Sequence, residues 1–153
     1  MNSTNYANQQ VIDLALSLLE NQVQESTVFQ SSIQAKQYLR LAIGKERDEC
    51  FCCLFLSSQH RLICFEKLFT GSISSTAVHP RIVVRRALEL NAAAVILAHN
   101  HPSGNLEPSD SDKRITQKLT KVLDIVEVEV LDHLIVSAAD TLSMAETKQL
   151  RLC

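Results

Sequence analysis

The run Ala92–Ala98, AAAVILA, constrains this chain more than any other segment. Seven apolar residues follow one another without polar alternation. The run is far short of the roughly 20 residues a membrane span needs. It fits a strand buried on both faces. Such a strand belongs to a sheet with helices packed against it.

The neighbouring segments fill in that architecture. Val11, Ile12, Ala15, Leu18 and Leu19 form a helical stripe over residues 9–20. A second helix, capped by Ser31 or Ser32, runs through Leu39, with Gly44 just past its end. Glu49–Leu56 and Leu62–Phe69 read as two strands joined by the polar hairpin Ser57-Ser58-Gln59-His60, and Gly71 ends the second. Pro80 opens a helix to about Asn91, with Val83, Val84, Ala87, Leu88 and Leu90 inward. Ser109 opens another to about Leu123, with Ile115, Leu119 and Val122 inward. Residues 125–131 alternate, with Val126, Val128 and Val130 toward the core, and His133–Val136 reads as one further strand. The predicted order is αα-ββ-α-β-α-ββ, a mixed α/β fold with a sheet flanked by helices. The expected division is a helical N-terminal leader over residues 1–45 and a main domain over residues 46–153.

Bulk properties exclude other classes. A chain of 153 residues, 46% hydrophobic and 21% charged, suits one domain with a real core. Its formal net charge is −2, which calls for neither nucleic acid nor an acidic membrane. The N-terminus has neither a basic start nor an apolar h-region, so no secretory signal is expected. Five cysteines, an odd count in such a chain, argue for a reducing cytoplasm over a disulfide framework. Cys50, Cys52 and Cys53 can be read as metal ligands. The strand-like context ECFCCLFL favours their packing as small hydrophobes.

The stretch His99–Asp112 carries the chemistry. His99 and His101 stand at i and i+2 at the end of the buried strand, which puts both imidazoles on one face. Asp112 follows in the first turn of the next helix, and Pro102, Gly104 and Pro108 punctuate a loop able to fold that turn back. Two imidazoles and a carboxylate would give Zn²⁺ three protein ligands and one open position. An isolated H-x-H is weak evidence. The full string, H-x-H-P followed after six residues by S-x-x-D, is far more specific.

That string resembles the metal motif of the JAMM (MPN-plus) metalloproteases, an upstream Glu, then H-x-H, seven residues and S-x-x-D. HNHPSG with EPS, the earlier GSISSTAVHPRIVVRRAL and the later VLDHLIV are similar to its RadC branch, over about residues 46–147. The chain looks like the short, stand-alone RadC-like proteins of mobile elements, which lack the helix-hairpin-helix region of full-length RadC. The resemblance implies a JAMM/MPN-like, cytidine-deaminase-like architecture. It implies one zinc per chain on His99, His101 and Asp112. Glu49 would be the base that takes a proton from zinc-activated water and delivers it to the leaving amine. Ser109 would support the substrate carbonyl or its oxyanion. Ser109-x-x-Asp112 is equally a capping-box spacing, which an Asp112 engaged with metal would not be free to complete. Asp132-His133 resembles a RadC-branch pair, and His133 reads either as lining the substrate side of the cleft or as a core histidine. Two departures stand out. Ser57 replaces the usual Asp of the hairpin turn, and Lys148 stands where the C-terminal pattern S-F-A-E-x-G has Gly.

The expected function is a cytoplasmic zinc metallopeptidase or isopeptidase acting on a protein or peptide. No membrane partner is expected, and a homo-oligomer is compatible with the sequence. The alternative is a nucleic-acid accessory module, in line with the DNA-repair label of the RadC name. Arg81, Arg85 and Arg86 on one helix and Arg114, Lys118 and Lys121 on another would supply phosphate contacts, around a structural or vestigial metal site. A ferrous facial triad would use the same ligand types but needs an oxygenase scaffold, usually all-β.

Overall fold

The computed structural model describes residues 3–25, 32–71 and 78–150. Helices α1 (Ser3–Glu25) and α2 (Ser32–Ile43) precede the hairpin β1 (Cys50–Leu56) and β2 (Leu62–Thr70). Then come α3 (Pro80–Glu89), β3 (Ala94–Asn100), α4 (Asp110–Ile125), β4 (Glu129–Val136) and β5 (Thr141–Ser143). The α/β fold is a five-stranded mixed sheet in the order β2-β1-β3-β4-β5, flanked by helices, as the JAMM/MPN-like expectation required. Every neighbouring pair is antiparallel except β3 with β4. Ser31, residues 72–77 of the GSISSTAVHP segment and Cys153 lie outside the described residues.

The uninterrupted apolar run becomes β3, buried at every residue. Alternation sorts its side chains onto two cores. Ala94, Ile96 and Ala98 join Cys50, Cys52, Leu54 and Leu56 beneath Ala35, Tyr38, Leu39 and Ile43 of α2. Val95 and Leu97 join Phe51, Cys53 and Phe55 beneath Val83 and Ala87 of α3 and Ile115, Leu119 and Leu123 of α4. The cysteines of β1 therefore pack as apolar residues, and burial pushes the Cys53 thiol well above its ordinary value. Gly44 permits the close docking of α2. A Cβ there would stand 2.4 Å from the Arg40 carbonyl oxygen and 2.9 Å from that of Ser137 beyond β4.

The element order matches the prediction, but its last part is divided differently. Residues 125–131 do not form a strand of their own, since only Glu129, Val130 and Leu131 are extended, as the start of β4. Helix α4 continues to Ile125, the chain turns through Glu127 at φ +59°, and Val128 N–H closes on the Leu123 carbonyl at 3.0 Å. The alternation read there spans a helix end, a turn and a strand start. The expected pair of strands is one strand, β4, with a bulge between its Val130 and Asp132 pairings. The additional strand is β5. On α3 the inward stripe is Val83 and Ala87, while Leu88 is 55% exposed. On α4 it passes through Leu123 in place of Val122. Among the described residues no helix is long and apolar enough to cross a membrane.

Candidate metal centre

Sheet register assembles the site. β1 runs antiparallel to β3 with Phe51 opposite His99. Continuing that register sets Glu49, the residue before β1, across from His101. Residues 49, 51, 99 and 101 then share the face that carries α3 and α4. The loop after His101 is held by Gly104 N–H on the His101 carbonyl at 3.0 Å, with Gly104 at φ +82°. It delivers the first turn of α4 to the end of β3, so that Asp112 meets both imidazoles.

His99 Nε2 lies 2.9 Å from His101 Nε2 and 3.2 Å from Asp112 Oδ1, and His101 Nε2 lies 3.5 Å from Asp112 Oδ2. His99 and Asp112 are buried and His101 is half-buried. One ligand atom from each falls within 4.8 Å of the other two. His101 Nδ1 is 2.5 Å from the Asn105 carbonyl oxygen, which can only accept, so Nδ1 carries the proton. In the neutral ring this leaves Nε2 as a lone pair aimed at a carboxylate and a second imidazole nitrogen. Such a convergence of acceptors fits a cation between them, and the group can hold a metal ion. The hydrogen bond to Asp112 raises the His101 pKa despite partial burial. Burial alone would raise the Asp112 carboxyl, but its hydrogen bonds with His101 and His99 prevail and hold it far below the usual carboxylate range.

Asp112 also completes the capping box that the Ser109-x-x-Asp112 spacing offered. Asp112 Oδ2 accepts from Ser109 N–H at 2.7 Å, and Ser109 Oγ accepts from Asp112 N–H at 3.1 Å. Two carboxylate oxygens offer about four acceptor directions. The cap aims the carboxylate while leaving lone pairs toward the imidazoles. Ser109 is exposed at the mouth, and its hydroxyl hydrogen is not used by the cap. Glu49 is half-buried, and its charge contributes to raising the His101 pKa. Asp48 is exposed.

His133 does not line the cleft. The bulge in β4 turns it onto the α3/α4 face, where it is fully buried with its ring edge-on to Phe51. Its Nε2 lies 2.8 Å from His99 Nδ1 and its Nδ1 lies 2.5 Å from Thr116 Oγ1. Two neighbours of the site were not singled out in the sequence. Thr116 stands one helical turn after Asp112, a polar residue in the buried stripe of α4. Asn100 stands between the two histidines and points to the opposite face. Its Oδ1 accepts from Cys50 N–H at 2.7 Å, and its Nδ2 donates to the carbonyls of Asp48 at 3.1 Å and Glu46 at 3.2 Å. Asn100 thus holds the backbone on both sides of Glu49.

The architecture and the candidate triad support a metal-dependent hydrolase-like fold. The family model for the RadC-like JAB domain matches residues 29–150, and the chain belongs to that family. It is 52% identical over 136 residues to a UPF0758 protein of Variovorax paradoxus, covering 89% of this chain and 60% of that one. It is 49% identical over 128 residues to UPF0758 protein Pfl01_5539 of Pseudomonas fluorescens, covering 84% and 57%. It is 52% identical over 140 residues to UPF0758 protein YfjY of Escherichia coli, covering 90% and 87%. The chain spans about 60% of the length of the first two relatives.

Proposed function

We propose that the chain is a zinc-dependent amide hydrolase, a peptidase or isopeptidase. The observation that carries this reading is the convergence of His99 Nε2, His101 Nε2 and an Asp112 oxygen within 4.8 Å, beside Glu49. His99, His101 and Asp112 would hold the ion. Bound there, zinc supplies a Lewis acid that polarises a carbonyl and acidifies water toward a pKa of about 7. Glu49 takes the proton of the attacking water on its carboxylate and returns it to the leaving amine. Ser109 donates its hydroxyl hydrogen to the carbonyl oxygen as charge develops there.

The accessory-module reading has less support. Arg86 pairs with Glu66 and Glu89, and Arg85 with Glu89, so the basic face of α3 is largely offset. The metal content of the purified protein tests the main reading. About one zinc per chain is expected, and none in Asp112→Ala. Glu49→Gln should keep the zinc and lose amide turnover by at least about 10²-fold, as removal of a general base does. An absence of zinc after reconstitution overturns the reading, and full turnover by Glu49→Gln overturns the assignment of the base.

A further inference from the structure

We infer that Thr116 and His133 are positioning residues that fix the tautomer of His99, and so decide whether its Nε2 can bind a metal. The argument follows the protons along a buried chain of hydrogen bonds. Thr116 Oγ1 lies 2.5 Å from the carbonyl oxygen of Asp112. Two oxygens at that distance need a hydrogen between them, and a carbonyl has none to give, so the threonine O–H points there. The oxygen of Thr116 is then an acceptor toward His133 Nδ1, and Nδ1 carries the proton of that ring. His133 is fully buried, its ring lies edge-on to Phe51, and its side-chain partners are the Thr116 hydroxyl and the His99 ring, so no carboxylate among them balances a second charge and the ring holds a single proton. Its Nε2 is therefore bare and accepts from His99 Nδ1 at 2.8 Å. With the proton of His99 held on Nδ1, the neutral ring presents its Nε2 lone pair to His101 and Asp112.

The chain of bonds has one direction only, because the Asp112 carbonyl at its end can only accept. It also joins both ends of the site, since that carbonyl belongs to the residue whose carboxylate faces the imidazoles. Without the Thr116 hydroxyl, His133 Nδ1–H loses the acceptor it has on α4. The His133 proton then moves to Nε2, His99 must accept on Nδ1, and its own proton moves to Nε2, the atom needed for metal.

This inference deepens the metal reading above and rests on it for its consequence, though the tautomer itself does not depend on any ion. The experiment compares wild type, Thr116→Val and Thr116→Ser. Valine keeps the shape and removes the hydroxyl, whereas serine keeps the hydroxyl. Zinc affinity is measured by competition with a chromophoric chelator. The valine variant should bind zinc about 10–100-fold more weakly, the usual cost of losing a partner behind a ligand histidine. Serine should restore binding close to wild type. Nitrogen-15 shifts of the metal-free protein give a second readout that a merely structural role would not move. They should show His99 protonated at Nδ1 in wild type and at Nε2 in the valine variant. Equal zinc affinity for valine and wild type, or a serine variant as weak as valine, overturns the inference. So does a wild-type spectrum with His99 protonated at Nε2, which decides the matter even if the valine variant does not fold. A wild type that binds no zinc but shows the Nδ1 tautomer would sink the metal reading and leave the hydrogen-bond chain standing.

Discussion

Asn100 shows how much of the site depends on a residue with no chemistry of its own. Its amide replaces a rung of the β1–β3 ladder, taking Cys50 N–H while reaching back to the carbonyls of Glu46 and Asp48. Glu49 lies inside that grip. Asn100→Ala leaves Cys50 N–H buried without its acceptor, a loss of about 1–3 kcal/mol, with a smaller contribution from the two carbonyls that water can reach. The expected destabilisation is about 2–3 kcal/mol, read as a lowered urea midpoint at unchanged slope. Asn100→Asp should also destabilise, because a carboxylate oxygen would face two carbonyl oxygens where an N–H₂ now donates. A midpoint within error of wild type for both variants would show that the amide does not hold this segment. The grouping of His99, His101 and Asp112 was legible because H-x-H at a strand end, a carboxylate in the next helix turn and the resemblance to the JAMM motif all pointed to it. Asn100 and Thr116 were not, because a one-dimensional pattern marks burial but not the partner that makes a buried polar group tolerable. The one available signal was a polar residue at a core position: Thr116 one turn past Asp112, and Asn100 at the end of an otherwise apolar strand.

Elements were legible where the period was clean and lost where a turn interrupted it. β3 and β1 followed from unbroken apolar runs, and β2 from the polar connection that joins it to β1. The start of α4 followed from its cap. The β4 region failed because a left-handed residue and a bulge both change the phase of the alternation, and period-2 reasoning assumes constant phase. The same bulge decides the fate of His133, since one extra residue moves it from the α2 face of the sheet to the α3/α4 face. Lys148, where the RadC pattern has glycine, adopts φ +57°, so the backbone keeps the glycine conformation at the strain of a side chain in the left-handed region. Between elements, Glu66 of β2 pairs with Arg86 of α3 and clips the edge strand to the helix above it. The guanidinium holds the Glu66 carboxyl below its ordinary value, against a smaller opposing effect of burial. A depressed carboxylate pKa contributes stability above the unfolded-state value, near 4.3, and that contribution is lost as pH falls through the folded-state value. Wild type should therefore lose stability more steeply than Glu66→Gln as pH drops from about 5 to about 3. Parallel unfolding free energies for the two proteins across that interval would show that the clip contributes nothing.

At the scale of the molecule, the site joins parts distant in sequence. His99 and His101 end β3, Asp112 starts α4, and Glu49 precedes β1 across the sheet. An ion held there would tie the end of one layer to the start of another, and the unfolded chain has no matching arrangement of ligands. Metal binding should then appear as stability of the whole fold. At free zinc 100-fold above the dissociation constant the linkage is about 2.7 kcal/mol. For a chain of this size each kcal/mol moves Tm by roughly 2–4 °C, so the expected rise is about 5–10 °C. Chelation should reverse it in one cooperative transition, because the ligands sit on elements of the main core and not on a separate lobe. Asp112→Ala should show no zinc-dependent rise, while Glu49→Gln should show the full rise. That pairing separates metal binding from catalysis within one thermal-melt experiment. A rise that survives Asp112→Ala would place the zinc elsewhere on the chain, and a rise absent from Glu49→Gln would make Glu49 a ligand and not a base.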